Sequence, residues 1–427
     1  MHTYALNDIT IGNYRKLLVS RVFLLFLNFF LVILAYYQVK AASRSILIEF
    51  GGADSFPYVW IGSAFILLML VGINNLMVAH FSRIKIIFIT LGLFVTLLLW
   101  FRSALNEANI TIAILFYIFV DIFSVVLVEQ FWSLSNTVNT VKDGRKAYWF
   151  IGSGGILGGI LGGITASMLI KYTSLNTEDL LITCALLLIV LITLNAIIWK
   201  LGFYRELPDE KCIRLDGNGL NAIIKTRYLQ LIAVVVCLSQ LAQPVIEFQF
   251  IKIVSENFLE LNERTRFISN FFSLMGLVSL AVNFSLTPLI HRYIGVLTGM
   301  YIQPLFLLCG SIGFMLHTNL ITVSVMKIMD RGLSYSINRA SKEQLYIPID
   351  AVNTYQVKAW IDMLGYRLFK AMGSGLIIIA VNWSHFKLDV ISLSWLTIII
   401  CFLWIVVVTF LLKEVKRINI YSIGDNV

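Results

Sequence analysis

The sequence predicts an all-α, polytopic membrane protein whose twelve transmembrane helices form two six-helix halves. Three observations lead to this fold class. The composition is strongly apolar, apolar runs of membrane-spanning length recur from one end of the chain to the other, and a short motif repeats at half the chain length. A water-soluble fold of this size needs more polar surface and shorter apolar runs than this chain has.

The composition points to a bilayer as the solvent of most of the chain. Apolar residues make up 59% of the 427 residues, charged residues make up 13%, and the mean hydropathy is +0.85. The lipid bilayer is therefore the predicted main partner. The net charge of +9 is spread over many short loops, which is typical of membrane topology signals and not of a nucleic-acid-binding face.

Apolar runs are separated by charged or turn-rich breaks along the whole sequence. A hydrocarbon core about 30 Å thick requires about 20 apolar residues in helical conformation. The first run starts at residue 22 and is soon followed by another, which favours an uncleaved span over a signal peptide. The predicted spans are 22–43, 56–79, 86–101, 110–136, 149–171, 179–200, 228–251, 268–290, 294–316, 320–346, 360–382 and 391–412.

The distribution of Lys and Arg predicts the orientation of these spans. Most basic residues fall on the side of the N-terminus, whereas the opposite side keeps few, such as Arg102 and Lys171. The positive-inside rule then places both termini in the cytoplasm, with the chain in the bacterial inner membrane. The predicted organisation is a cytoplasmic N-terminal segment (1–21), an N-terminal half (22–200), a cytoplasmic linker (201–227), a C-terminal half (228–412) and a cytoplasmic tail (413–427).

An internal repeat supports two homologous halves. Glu129–Thr140 reads EQFWSLSNTVNT and Glu343–Thr354 reads EQLYIPIDAVNT, and the two segments start 214 residues apart. A Gly-Ser-Gly sequence also recurs, at 152–154 and at 373–375, in the next span of each half. Duplicated six-helix halves related along the membrane normal are the build of major facilitator transporters. The repeat therefore predicts a secondary transporter that works by alternating access.

The glycine-rich fifth span is predicted to pack closely against another helix. Its sequence between Gly152 and Gly163 is GSGGILGGILGG, and small residues let helices approach each other closely in lipid. A phosphate-binding loop would need a following Lys-Ser/Thr pair, which the segment lacks. The close contact also suits a helix that must rock during alternating access.

Nothing in the sequence predicts an enzyme, a metal site or a cofactor. The five cysteines are scattered without a CxxC pair, which is typical of small packing residues. They are Cys184, Cys212, Cys237, Cys309 and Cys401. The five histidines lie at the start of the chain or at span edges, and no nucleophile motif accompanies them.

Basic residues inside the spans are the predicted substrate-binding groups, because a charge in the membrane is costly and usually serves function. In major facilitator folds spans one, four, seven and ten line the central cavity, an analogy made at the level of the fold. A basic cavity favours an anion, and the fork of an Arg side chain matches phosphate or carboxylate. The candidates are Lys40, Arg44, Lys327, Arg331 and Asn338, the last three on one face of span ten.

Acidic residues in the cavity spans are the predicted counter-charges or proton carriers. Glu247 follows Pro244, which predicts a kink in span seven, and Asp121 lies in span four. The structural alternative is that Glu247 forms a buried ion pair with Lys40 or Lys327.

Three charged residues near the inner ends of spans are predicted to form gates. Glu129 and Glu343 occupy equivalent positions of the repeat, and Arg367 stands six residues before the second Gly-Ser-Gly. Anchoring at the inner leaflet is the competing interpretation for Arg367.

Three segments resemble the ATP/ADP (nucleotide) translocase group and its facilitator-like bacterial relatives. They are residues 36–58, 129–163 and 335–375. The resemblance implies nucleotide exchange across bacterial or plastid envelopes, typically in intracellular bacteria that import host ATP. It also implies cavity roles, matched by span, for Lys40, Arg44, Glu247, Lys327 and Arg331.

Two other functions stay open. The first is proton-coupled transport of another organic anion, such as a metabolite or a siderophore, with Glu247 or Asp121 as the proton carrier. The second is a membrane sensor or scaffold that transports nothing, which leaves the cost of the intramembrane charges unexplained. The chain is expected to act as a monomer on a small anion, with a nucleotide as one candidate.

Overall fold

The computed structural model describes residues 11–80, 82–138, 141–203, 217–293, 295, 298–346, 357–358, 360–361, 365–382 and 388–424, and these residues are helical apart from short turns. The helices are α1 (Ile11–Gly51), α2 (Phe56–His80), α3 (Arg83–Ala104), α4 (Ile110–Val138), α5 (Val141–Tyr172), α6 (Leu180–Lys200), α7 (Gly217–Lys225), α8 (Arg227–Asn257), α9 (Leu261–Ala281), α10 (Thr287–Tyr293), α11 (Ile302–Leu316), α12 (Leu320–Leu333), α13 (Arg339–Leu345), α14 (Tyr366–Asn382) and α15 (Leu393–Gly424). Two π-helical segments join α9 to α10 (Val282–Leu286) and α12 to α13 (Ser334–Asn338).

The all-helical membrane fold predicted from the sequence is confirmed. Within the described residues, ten helical stretches are long and apolar enough to cross a membrane, and they coincide with ten of the twelve predicted spans. In the other two predicted spans the described residues are also helical up to residue 345 and in 360–361 and 365–382. Residues 320–345 carry several charges, and α14 has only 17 residues in its described part.

The first helix is longer than the sequence predicts. The apolar run predicts an end at residue 43, but α1 continues to Gly51. The last two turns bury apolar side chains, among them Ile46 and Leu47, and this burial stabilises the helix beyond its charged residues. The helix ends where Gly52 adopts a positive φ of 69°, a conformation that favours glycine.

The chain folds into two compact units. The first contains Met1–Ile46, Ile73–Glu210 and Leu261–Ser273, and the second contains Leu47–Gly72, Lys211–Glu260 and Leu274–Val427. In the first unit α3 packs against α4 and α6, and in the second α8 packs against α12, α14 and α15. The superposition of residues 22–200 on 228–412 stays a prediction.

A row of glycines brings α5 close to α1 inside the first unit. Three glycines, one per turn of α5, lie against three successive turns of the α1 backbone. The pairs are Gly154 with the Phe26 carbonyl, Gly158 with the Phe30 carbonyl and Gly162 with the Leu34 carbonyl. The predicted close packing of the glycine-rich span is therefore confirmed at these positions. At Gly152 a side chain would meet no atom within 4 Å, so this glycine lies outside the contact.

The repeated Gly-Ser-Gly sequence contacts another helix in each unit, but through different glycines. A Cβ atom at Gly154 would lie 2.6 Å from the Phe26 carbonyl oxygen of α1, and one at Gly373 would lie 2.9 Å from the Leu241 carbonyl oxygen of α8. Gly154 is the third residue of its repeat and Gly373 the first of its own, so the two contacts are not equivalent. The second copy of the other repeated motif is Glu343–Thr354, and its residues 347–354 lie outside the described part of the chain.

A buried amide pair joins α1 to α6. The Asn28 Nδ2 atom donates to Asn195 Oδ1 at 3.0 Å, and Asn195 Nδ2 donates to the Leu191 carbonyl at 2.9 Å. Both side chains are about 2% exposed. Hydrogen bonds between membrane helices contribute about 0.6 to 1.7 kcal/mol each.

We expect Asn195→Leu to destabilise the protein by about 1 to 2 kcal/mol, because it leaves the Asn28 amide buried without its acceptor. Unfolding in mixed micelles with increasing denaturant measures the loss. The double variant Asn28→Leu, Asn195→Leu should recover part of it, since both polar groups are then removed. A double variant whose loss equals the sum of two full single losses contradicts this account.

Candidate functional site

Buried charges of α8 and α12 form a polar cluster in the second unit. Asn319 caps α12 by accepting a hydrogen bond from the Thr322 backbone N–H at 2.9 Å. From this start, Lys327 and Arg331 lie one helical turn apart and share a face. On α8, Pro244 lacks a backbone donor and Glu247 follows it on a buried face. The packing of α8 against α12 brings Glu247 to the two cations.

Four ionised groups make up this charge quartet, which consists of Glu247, Lys327, Asp330 and Arg331. Lys327 is in direct contact with the Glu247 carboxylate, and its Nζ lies 3.9 Å from Asp330 Oδ2. Arg331 NH2 lies 3.8 Å from Glu247 Oε2, and its Nε lies 3.8 Å from Asp330 Oδ2. Two cations and two carboxylates leave no formal net charge. The sequence predicts a basic cluster with few acids, whereas the structure has equal numbers of cations and carboxylates here. This balance of charge avoids the cost of a net charge in lipid.

The charge quartet has an inner and an outer layer. The side chains of Lys327 and Asp330 are 1% and 3% exposed, whereas those of Arg331 and Glu247 are 15% and 11% exposed. The inner layer is supported by Gln303 of α11, whose Nε2 lies 3.3 Å from the Asp330 carbonyl oxygen and 3.4 Å from its Oδ1. Arg331 is therefore the more accessible of the two cations.

Neutral side chains complete the surroundings of Arg331. Its NH1 lies 3.4 Å from the Tyr335 hydroxyl. When the amide oxygen of Gln243 faces Arg331, it accepts from the guanidinium, and the amide nitrogen donates to Gln240 Oε1 at 2.9 Å. These partners hold the side chain in place without cancelling its charge.

The π-helical segment after Arg331 changes the register of the polar face. The sequence predicts that Lys327, Arg331 and Asn338 share one face of a regular helix. A π-segment contains one extra residue per turn, so side chains beyond it are rotated relative to an α-helix. Asn338 is the last residue of this segment and is partly buried.

The predicted basic pair of span one lies in the first unit, among aromatic rings. Lys40 Nζ lies 4.4 Å from the Tyr37 ring centroid and 4.2 Å from that of Phe272. Arg44 lies 5.4 Å from the Phe272 centroid. Aromatic faces attract cations and stabilise them when they leave water.

Asp121 lies in the same region of the first unit. The charges of Arg44 and Asp121 both act on the Tyr36 hydroxyl group. The side chain of Asp121 is partly buried on α4. The predicted charges Lys40, Arg44 and Asp121 are therefore grouped around two neighbouring tyrosines.

The three predicted gating residues do not form one group. Glu129 and Glu343 are both exposed, and Glu343 pairs with Lys358 at 2.5 Å. Arg367 of α14 donates through NH1 to the Leu67 carbonyl of α2 at 2.9 Å. Their gating role stays a prediction.

Two residues at the charge quartet are not among the predicted site residues. The sequence places Asp330 three residues from Lys327, where the two can pair, but the predicted site does not include it. Gln303 is absent too, although a lone amide in an apolar run is itself unusual. The aromatic neighbours of Lys40 also escape the sequence in part, because Tyr36 and Tyr37 are close to it on the chain but Phe272 comes from α9.

A comparison with known families decides the class of this protein. A model of the TLC ATP/ADP transporter family matches residues 108–324 and 316–415, which together cover more than half of the chain. The chain belongs to this family. This TLC family member therefore belongs to a family of membrane transporters, and the resemblance noted in the sequence is confirmed.

Bacterial carriers are among the relatives of this TLC family member. It is 23% identical over 306 residues to "ADP,ATP carrier protein 1" of Chlamydia trachomatis serovar D, covering 62% of this chain and 58% of that protein. It is 22% identical over 364 residues to "ADP,ATP carrier protein 4" of Rickettsia bellii, covering 74% and 69%. The match thus spans less than two thirds of the length of the chlamydial carrier.

Solved transporters share the fold of this TLC family member. The nucleoside transporter NupG has a TM-score of 0.68 at 12% identity, covering 92% of this chain and 99% of that one. The POT family transporter PepTSo has a TM-score of 0.65 at 13% identity, covering 94% and 98%. The major-facilitator-type fold predicted from the sequence is confirmed by these likenesses, which at such identities concern the fold alone.

Proposed function

We propose that this protein exchanges nucleotides of the ATP/ADP type across a bacterial inner membrane by alternating access. Membership of the TLC family and the names of the chlamydial and rickettsial relatives support this proposal. The observation that carries it is Arg331, a guanidinium in the outer layer of a buried charge quartet, at a place where an anionic ligand can reach it.

The proposed substrate-binding residues are those expected from the sequence. Arg331 binds a phosphate group directly, since its planar fork donates two parallel hydrogen bonds to phosphate oxygens. Lys327 acts through its charge, because its side chain is almost completely buried against Glu247. Asn338 is proposed to contribute a neutral hydrogen bond.

Lys40 and Arg44 are proposed as a second set of phosphate-binding groups. The aromatic rings beside them stabilise positive charge through the ring quadrupole, which leaves the formal charge of each cation in place. Asp121 and Glu247 are the proposed counter-charges that keep the empty sites from carrying a large net charge.

Topology and assembly belong to the same proposal. The clustering of Lys and Arg supports a cytoplasmic location for the segment 201–227 and for both ends of the sequence given. The two sequence motifs that recur in the second half of the chain support two duplicated halves. We propose a monomer as the transporting form.

Counter-exchange in proteoliposomes tests the proposed function. Vesicles containing the purified protein are preloaded with ADP, and uptake of labelled ATP is followed without a pH gradient. We expect uptake at least about tenfold above that of vesicles without internal nucleotide, because each imported ATP requires an exported nucleotide. Liposomes lacking the protein are the control.

Two other outcomes contradict nucleotide exchange. Uptake of another organic anion that follows an imposed pH gradient and ignores internal nucleotide indicates the proton-coupled alternative. No transport of any anion, together with normal insertion and folding, indicates a sensor or scaffold.

A further inference from the structure

The two carboxylates of the charge quartet differ in how firmly they are held. Asp330 shares α12 with both cations, so its backbone keeps a fixed distance from theirs. Gln303 also fixes it from α11, with Nε2 at 3.4 Å from Oδ1. Glu247 belongs to a different helix, α8, and reaches the cations through a longer side chain.

The two carboxylates also differ in how exposed their side chains are. The Asp330 side chain is 3% exposed beside the buried Lys327, whereas the Glu247 side chain is 11% exposed beside the more accessible Arg331. A ligand that enters from the accessible side meets the outer pair first. Glu247 is therefore the carboxylate that such a ligand encounters.

The contacts of Glu247 with its two cations are unequal. It is in direct contact with Lys327, but its oxygen lies 3.8 Å from Arg331 NH2. This distance of 3.8 Å is too long for a hydrogen bond between nitrogen and oxygen, so Glu247 attracts Arg331 only by charge. Asp330 is likewise 3.8 Å from Arg331. A phosphate or carboxylate group of a ligand can form the short, paired hydrogen bonds that neither carboxylate makes.

We propose that Glu247 is a resident anion of the empty protein. It occupies the surroundings of Arg331 that an anionic group of the substrate takes on binding, and Lys327 retains it when that group arrives. Asp330 is a positioning residue that keeps Lys327 and Arg331 in place in both states. This inference rests on the proposed function, since it assumes that Arg331 binds the substrate anion.

The two carboxylates should therefore have opposite effects on anion affinity. Glu247 competes with the ligand for Arg331, so removal of its charge should tighten binding. Asp330 positions the cations, so removal of its charge should weaken binding. If both carboxylates served only the structure, both changes would weaken binding.

Equilibrium binding to the purified full-length protein in detergent tests the inference, with ADP and inorganic pyrophosphate as probes. We expect Glu247→Gln to lower the Kd of both probes about tenfold, because a competing charge close to Arg331 is removed. We expect Asp330→Asn to raise both Kd values at least about tenfold. Glu256→Gln, an exposed change on the same helix as Glu247, is the matched control and should leave both unchanged.

A second variant covers the risk that Glu247→Gln does not fold with Lys327 unpaired. Glu247→Asp keeps a carboxylate for Lys327 but is shorter by one methylene group, so it should lower the Kd values by a smaller factor. Rescue of the Asp330→Asn defect by Asp330→Glu would support the positioning role of Asp330.

The possible results separate this inference from the proposed function. If the wild-type protein binds ADP and both Glu247 and Asp330 variants bind it more weakly, the resident-anion role is wrong and nucleotide binding stands. If the wild-type protein binds pyrophosphate but not ADP, nucleotide exchange is wrong, and the pyrophosphate Kd values alone decide the role of Glu247. If it binds neither probe, both proposals are wrong.

Discussion

Replacement of Arg331 by Gln is expected to reduce anion exchange by at least about 100-fold, while the protein still inserts and folds. Gln keeps a polar side chain beside Tyr335 and Gln243 but removes the charge and the planar fork that a phosphate group needs. Because Arg331 is the more exposed of the two cations in the charge quartet, its loss affects the ligand directly. Counter-exchange in proteoliposomes measures the loss of exchange, and size-exclusion chromatography in detergent measures whether the protein still folds.

Two further variants serve as comparisons for this prediction, one at the same position and one outside the site. Arg331→Lys keeps the charge without the fork and should retain part of the activity. Arg227→Gln removes a charge at the exposed start of α8 and should leave exchange unchanged. Exchange by Arg331→Gln within a few-fold of wild type would mean that Arg331 serves only to balance Glu247 and Asp330.

Replacement of Gly158 by Ala is expected to destabilise the protein by about 1 to 3 kcal/mol, the usual cost of overpacking. Its Cβ atom would collide with the Phe30 carbonyl oxygen and lie 3.2 Å from the Leu34 backbone nitrogen of α1. Both atoms belong to a helix backbone, so the clash cannot be relieved by a rotamer change, and the helices must separate. The thermal unfolding temperature in detergent should fall, together with the yield of folded protein.

Gly152→Ala is the control on the same helix. A Cβ atom at this position meets no atom within 4 Å, and Ala has the higher helix propensity, so stability should stay equal or increase slightly. Equal stability of the two Ala variants would indicate that α5 does not depend on its close contact with α1.

The membrane fold was predictable because it follows from local sequence properties. Apolar runs of sufficient length specify helices in lipid regardless of what they pack against. The end of α1 was not predictable in this way. Residues 44–51 include Arg44 and Glu49, which are typical of the edge of a span, and only the burial of Ile46 and Leu47 against other helices extends the helix.

The sequence predicts most members of the candidate site, but it does not predict the balance between its positive and negative charges. Helical spacing places Lys327 and Arg331 on one face, and the pairing of Glu247 with Lys327 is one of the alternatives that the sequence leaves open. Spacing along one helix cannot tell which groups a neighbouring helix brings. The support of Asp330 by Gln303 and the proximity of Phe272 to Lys40 depend on tertiary packing of α11 and α9, which a single sequence does not reveal.

The uninterrupted course of α1 means that its glycine contact and its basic pair move as one rigid body. The turns from Phe26 to Leu34 lie on the glycines of α5, and Lys40 follows six residues later in the same helix. At about 1.5 Å per residue, the ammonium-bearing turn is only about 9 Å further along the axis. A tilt of α1 at this contact therefore displaces Lys40 and Arg44 directly, so that movement at one end of α1 becomes movement of charge at the other.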